Sequence, residues 1–126
     1  MAVTFSAEAK IAAHQALADL IDAGSGNGYM LVYSAADVLL GEVPLDGPCG
    51  TVNGTTGQLT FDFTGPDTSA NATGTISYVT FADSDDNVHI TVDAAQGSSP
   101  VTNSAVFNTL SSVSGYPITV ISATVG

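Results

Sequence analysis

The alternation of apolar and polar residues is clearest in residues 74–94, where it predicts a β-hairpin. One face of the second arm is apolar and consists of Val88, Ile90 and Val92. A period of two is typical of a strand with one buried and one solvated side. The first arm, residues 75–82, has apolar positions on both faces, which favours a central strand. The Asp, Ser and Asn residues at 83–87 are typical of the turn between two paired strands.

A different period, near 3.6, predicts an amphipathic helix over residues 7–23. Ser6 fits the N-cap position, and Glu8 lies in the first turn, where the helix dipole favours an acid. Gly24 is predicted to end the helix in the left-handed conformation. The stripe expected to face the rest of the protein contains Ile11, His14, Leu17, Ala18, Leu20 and Ile21.

Shorter runs of apolar residues predict the remaining strands of the chain. Five further strands are predicted, at residues 29–33, 38–43, 59–63, 106–107 and 118–125. The last of these changes its apolar face near Val120, which indicates a bulge or burial on both sides. A short strand or arm is expected at residues 3–5, with turns at 24–28, 65–67, 96–103 and 115–117. Residues 44–58, which are rich in Gly, Pro, Asn and Thr and contain Cys49, are interpreted as a long surface loop and candidate interface.

One helix followed by about seven short strands with turn-rich connections predicts a mainly β fold. The expected architecture is an antiparallel β-sandwich, jelly-roll-like, with one N-terminal α-helix. The whole chain, 1–126, is interpreted as a single domain, with an arm and helix over 1–23 and the sandwich over 29–126.

The amino-acid composition says more about the function of the protein than about its fold. One Lys, no Arg and twelve acidic residues give a net charge of −11, which argues against binding to nucleic acid or to an anionic membrane. No apolar stretch is long enough for a membrane span, and the first residues lack the pattern of a secretory signal. Charged residues make up only 10% of the chain. So little charge indicates that part of the surface is covered in an assembly.

Few residues in the sequence are candidates for catalysis or for metal binding. His14 lies on the helix stripe and is interpreted as a packed imidazole, whereas His89 is expected to be solvated on its strand's polar side. Residues 83–87 resemble the start of a calcium loop, but Val88 and Ala94 stand where an EF-hand needs Gly and Glu. A plain turn is favoured there over a looser calcium site. We therefore predict no catalytic residue, no metal site and no cofactor, and we expect the protein not to be an enzyme.

Several segments in order resemble a family of small virion proteins of tailed bacteriophages. They are Phe5-Ser6 with the helix at 7–23, the Gly-rich break at 24–28, Leu31-Val32-Tyr33-Ser34, Asp67-Thr68-Ser69-Ala70-Asn71-Ala72-Thr73-Gly74-Thr75, Asp83-Ser84-Asp85, and Gly115 with the closing strand 118–124. The chain departs from the family at Tyr78 and Thr80, where an aromatic and a basic residue are common, and residues 44–57 have no counterpart. The resemblance implies a structural part of the virion with a β-sandwich core and no catalytic residues.

The function expected on this basis is that of a capsid decoration (cement) protein, which stabilises the head shell through protein–protein contacts. Its partners would be the major capsid protein or other virion proteins, and it would form a homo-oligomer such as a trimer. Its location would be the virion, after assembly in the host cytoplasm. The N-terminal arm or the 44–58 loop is expected to make the contacts.

Three alternatives remain open on the sequence. The first is a tail, neck or fibre-associated virion component. The second is a carbohydrate- or cell-surface-binding β-sandwich that uses Tyr29, Tyr33 or Tyr116 as stacking platforms. The third is a small hydrolase that depends on His89 or an acidic residue.

Overall fold

The computed structural model describes residues 6–65 and 69–126, and in these residues one helix precedes eight strands. The mainly β prediction is therefore confirmed. The elements are α1 (Ala7–Ile21), β1 (Tyr29–Ser34), β2 (Leu39–Val52), β3 (Leu59–Phe63), β4 (Gly74–Ala82), β5 (Val88–Gln96), β6 (Ser104–Phe107), β7 (Ser111–Ser112) and β8 (Val120–Val125). The expected arm at residues 3–5 and part of the expected turn at 65–67 lie outside the described residues.

Seven of the strands form a closed barrel, so the predicted β-sandwich with jelly-roll connections is wrong. The ring runs β1-β2-β3-β8-β6-β5-β4 and is closed by the antiparallel pairing of β4 with β1. The β5–β6 pair is parallel, so the expected all-antiparallel pairing is also incorrect. The short β7 lies outside the ring and pairs with the start of β4. Closure removes the free edges that two stacked sheets would have left.

The barrel interior is filled by side chains, as expected for a barrel of so few strands. At its centre the rings of Phe61 (β3) and Phe81 (β4) stack with centroids 3.9 Å apart and planes 9° apart. Met30 and Val32 of β1 and Val79 of β4 are fully buried beside them. Because these positions alternate along their strands, the residues between them face outward.

The predicted hairpin is confirmed, with β4 pairing to β5 from Tyr78↔Asp93 to Ala82↔Val88. Its first arm is central, as predicted, because β4 also pairs with β1. The irregularity expected near Val120 is present as well. Between β6 and β8 the register passes from Val106↔Ser122 to Phe107↔Val120, so Ile121 is the extra residue of a bulge.

The long surface loop predicted at residues 44–58 is mostly strand. β2 continues to Val52, pairing first with β1 and then with β3, and only the turn before Leu59 lies outside the strands. Cys49, expected in that loop, is fully buried, and its Sγ donates to the carbonyl oxygen of Ala18 at 3.6 Å. Burial and the nearby Asp22 carboxylate raise the pKa of the thiol to about 12, so Cys49 is a core residue without a reactive thiolate.

The helix begins as predicted and ends earlier. The Ser6 hydroxyl accepts from the Ala9 N–H at 3.1 Å, and Asp22 caps the C-terminus in the right-handed region. Gly24 does not adopt the predicted left-handed conformation. It is instead packed so close to Ser84 that a Cβ would overlap the Ser84 side chain.

One end of the barrel is covered by α1, which buries Ala18 and Ile21 in the core. His14 lies partly buried at this junction, where its Nδ1–H donates to the Gly57 carbonyl. The interpretation of His14 as a packed imidazole therefore agrees with its contacts. Leu20 does not belong to the buried stripe, because it is 51% exposed.

Candidate interaction surface

The outer side of β1 and β4 carries an aromatic surface. The buried positions of β1 are Met30 and Val32, so the residues that alternate with them point outward. Register places the outward Tyr78 of β4 directly opposite Tyr33. We name the outward residues Tyr29, Leu31, Tyr33 and Tyr78 the tyrosine face.

Two contacts hold the aromatic rings of the tyrosine face in place. The rings of Tyr33 and Tyr78 stack with centroids 5.2 Å apart and an interplanar angle of 10°. The Tyr78 hydroxyl donates to Oδ1 of Asp37, in the β1–β2 turn, at 2.6 Å. This hydrogen bond is the main cause that raises the pKa of Tyr78 to about 12. The Tyr33 and Tyr78 rings are therefore already fixed before a partner binds, so binding costs little additional side-chain entropy.

Polar groups border the tyrosine face. Asp93 of β5 pairs with Tyr78 across the sheet and is exposed. Thr80 points outward from β4 between Leu31 and Thr91. It is only 7% exposed, and its hydroxyl oxygen has no hydrogen-bond partner. A buried hydroxyl without a partner is uncommon in folded proteins.

The carbohydrate hypothesis named Tyr29, Tyr33 and Tyr116 as stacking platforms. The structure places only two of them, Tyr29 and Tyr33, on the same side of one strand. Tyr29 and Tyr33 lie on the same outer side of β1, about 13 Å apart along the strand. One side of the Tyr33 ring is already occupied by Tyr78. Tyr116 lies in the connection before β8, where its carbonyl accepts from the Ala70 N–H. The three tyrosines do not form one continuous stacking platform.

The turn between β4 and β5 is organised by the Asp83 carboxylate. Its Oδ1 accepts from the backbone N–H groups of Asp85 at 2.9 Å and Asn87 at 3.0 Å. Its Oδ2 accepts from the Asn87 side chain at 3.3 Å and pairs with Nε2 of His89 at 3.0 Å. His89 is therefore held against Asp83, and the expectation that it is solvated is wrong.

These contacts give the turn a structural role. In residues 6–65 and 69–126, no three His, Cys, Asp or Glu side chains converge as a metal site would require. A nucleophilic dyad would also need a hydroxyl or thiol hydrogen-bonded to His89, and none occurs in these residues. The hydrogen bonds, from Asn87 first and His89 second, lower the pKa of Asp83 to about 2.

Acidification is expected to weaken the fold through Asp83. Because its folded-state pKa, about 2, lies below the ordinary value of 3.8, its stabilising contribution is complete above pH 3.8. The contribution is lost as the pH falls through about 2.

The substitution Asp83→Asn tests this role. Between about pH 5 and about pH 2, the urea midpoint of the variant should fall less steeply than that of the wild type. Asp86→Asn, exposed in the same turn, is the control and should keep the wild-type slope. Equal slopes for Asp83→Asn and the wild type would contradict this role.

Two shallow clefts mark places where the barrel ladder is interrupted. Each has a volume of about 270 Å³. The first lies beside β5 where β6 begins, and the second lies between β3 and β8, which are paired only through Leu59↔Val125 and Thr60↔Thr124. Both are smaller than the usual pocket for a small-molecule ligand. The tyrosine face is therefore the stronger candidate for a functional surface.

The 44–58 segment, one of the two contact regions predicted from the sequence, contributes no residue to the tyrosine face. The N-terminal arm lies outside the described residues, and most of the 44–58 segment belongs to β2. The signal for the tyrosine face was present in the sequence as the alternation of Tyr29, Leu31 and Tyr33. The partner across the sheet, Tyr78, could be added only once the pairing of β1 with β4 was known.

Comparison with known proteins gives no relative for this chain. No protein-family model matches it, and neither curated proteins nor solved structures show a significant similarity. Of the helices within the described ranges, none has the length and apolar character needed to cross a membrane.

Proposed function

We propose that the protein is a phage virion structural protein, namely a capsid decoration (cement) protein that stabilises the head shell through protein–protein contacts. The observation that carries the proposal is the tyrosine face, an aromatic surface fixed on two central strands of a closed barrel. Tyrosine is enriched at protein interfaces, where a rigid ring gives a large contact area at low entropic cost. The resemblance of the sequence to small virion proteins supports the same function.

The architecture is compatible with the mechanical role that we propose. The seven strands of the ring close on themselves and leave no free edge strand, which suits a protein that holds two neighbouring partners together. The partners proposed are the major capsid protein and further copies of this chain. Contacts across neighbouring shell subunits would oppose outward pressure from packaged DNA. The net charge of −11 gives the protein no affinity for that DNA.

Electron microscopy with an antibody label on purified virions of the phage that carries this gene tests the location. Labelling over the head surface is the expected result. Labelling confined to the tail or neck would overturn decoration in favour of a tail component, and absence of label from the particle would overturn both. Light scattering on the purified protein tests the trimer, because the mass of one chain is 12.6 kDa.

A paired substitution tests whether the tyrosine face makes the contact. Tyr33→Ser removes one ring of the stacked pair, and we expect about tenfold weaker binding to shells that lack the protein. Tyr116→Ser is the matched control, because Tyr116 is 66% exposed and belongs to the connection before β8, not to β1 or β4. Equal loss in both variants, or loss in the control alone, would contradict the assignment.

A further inference from the structure

The acidic residues around the tyrosine face cannot be neutralised from within the chain. Twelve acidic residues are present with one lysine and no arginine. That lysine, Lys10, lies on α1 beside Gly57, at the end of the barrel covered by the helix. Asp37 and Asp93 lie instead beside Tyr78, on the outer side of the barrel. A cationic partner would therefore meet no competing lysine or arginine of this chain at this surface.

The arrangement of these groups matches one side chain better than others. Along one row across the sheet, Tyr33, Tyr78 and Asp93 follow each other at the strand spacing of about 5 Å. A guanidinium group stacks on an aromatic ring and forms two parallel hydrogen bonds to a carboxylate at the same time. A lysine ammonium offers a point charge without the planar stacking surface.

A second observation on the same surface also indicates a missing ligand. The Thr80 hydroxyl lies on the outer side of β4, two residues after Tyr78, and has no hydrogen-bond partner. A guanidinium has five N–H donors, so one can serve this oxygen while others bind Asp93. Thr80 pairs with Leu31 and Thr91 across the sheet and its hydroxyl oxygen is buried, so a donor reaches that oxygen only after a neighbouring side chain moves.

We propose that the tyrosine face, with Asp37, Asp93 and Thr80, is a docking site for arginine side chains of a partner protein. The site recognises arginine in preference to lysine, because stacking on the Tyr33–Tyr78 pair requires a planar cation. The inference rests on the proposed function only in taking the partner to be another virion protein. The binding chemistry itself is independent of where the protein resides.

The test uses two labelled peptides of equal charge, hexa-arginine and hexa-lysine, with fluorescence anisotropy at one fixed ionic strength. We expect the arginine peptide to bind the wild type about fivefold more tightly than the lysine peptide. Asp93→Asn should weaken the arginine peptide about fivefold. Asp62→Asn, exposed on β3 three strands away from β4, makes the same charge change and should alter the affinity less than about twofold.

Thr80→Val separates binding from folding. Removing a buried hydroxyl without a partner should leave the melting temperature unchanged or raise it, yet weaken the arginine peptide about threefold. Equal affinities for the two peptides, or equal losses from Asp93→Asn and Asp62→Asn, would overturn the proposal, because both would indicate diffuse attraction to an acidic protein. Neither peptide result would bear on the proposed location at the virion head. Conversely, absence of the protein from virion heads would overturn the proposed function without contradicting a measured preference for the arginine peptide.

Discussion

Replacement of Phe81 by alanine is expected to lower the free energy of unfolding by about 3–5 kcal/mol. Phe81 is fully buried, and its ring stacks on Phe61 at the centre of the barrel. The substitution removes the apolar area of the ring and leaves a cavity between strands that the closed ladder holds apart. It also removes the stacking of the two rings.

Urea unfolding followed by circular dichroism gives the measurement. Val88→Ala is the matched control, since Val88 is 52% exposed on the neighbouring strand and its truncation should cost less than about 0.5 kcal/mol. A loss below about 1 kcal/mol for Phe81→Ala would show that the barrel collapses around the missing ring.

Gly57→Ala is expected to destabilise the protein by about 2–4 kcal/mol through two separate causes. Gly57 has φ of +77°, a conformation that costs an L residue about 1–2 kcal/mol. A Cβ there would also overlap the Lys10 Cβ and come within 3.1 Å of the Ile11 backbone nitrogen. The helix would then have to move away from the turn that holds His14.

Two other glycines separate these causes. Gly115 has φ of +86° with open space around it, so Gly115→Ala should show the backbone cost alone, about 1–2 kcal/mol. Gly54 has open space and no left-handed φ, so Gly54→Ala should change the free energy of unfolding by less than about 0.5 kcal/mol. Thermal or urea unfolding of the three variants should give that order. A Gly57→Ala variant no less stable than Gly115→Ala would refute the close packing of α1 on the turn.

The features that could be predicted from the sequence are those determined locally. The helix start depends on Ser6 and its immediate neighbours, and the β4–β5 hairpin depends on alternation around a short turn. The bulge at Ile121 was visible because the apolar face changes within one strand. Each of these signals lies within a few residues of the element that it specifies.

Features that depend on distant partners were missed. Pro44, Gly47 and Pro48 argue against a strand, since proline lacks a donor N–H. β2 tolerates Gly47 and Pro48 because its ladder with β3 is interrupted between Leu45 and Gly50, whereas Pro44 is the last β2 residue paired with β1, just before β2 changes partner. The choice of barrel over sandwich depends on β4 pairing with β1, and nothing near either strand in the sequence specifies that contact.

The candidate surface could be predicted only in part, for the same reason. Tyr29 and Tyr33 were named as stacking platforms in the carbohydrate hypothesis, whereas the stacking of Tyr78 on Tyr33 required the register between β1 and β4. His89 was assigned to solvent from its face of the strand, but the turn brings Asp83 back against it. A side chain's partner across a turn does not follow from strand periodicity.

The position of β8 in the ring has a consequence for how the protein is made. β8 lies between β6 and β3, although it is the last of the strands to be synthesised. Until β8 joins the ring, β3 and β6 each keep an unpaired border beside the core. A chain truncated before Val120 should therefore associate with other copies through these borders and give a lower soluble yield than the full chain.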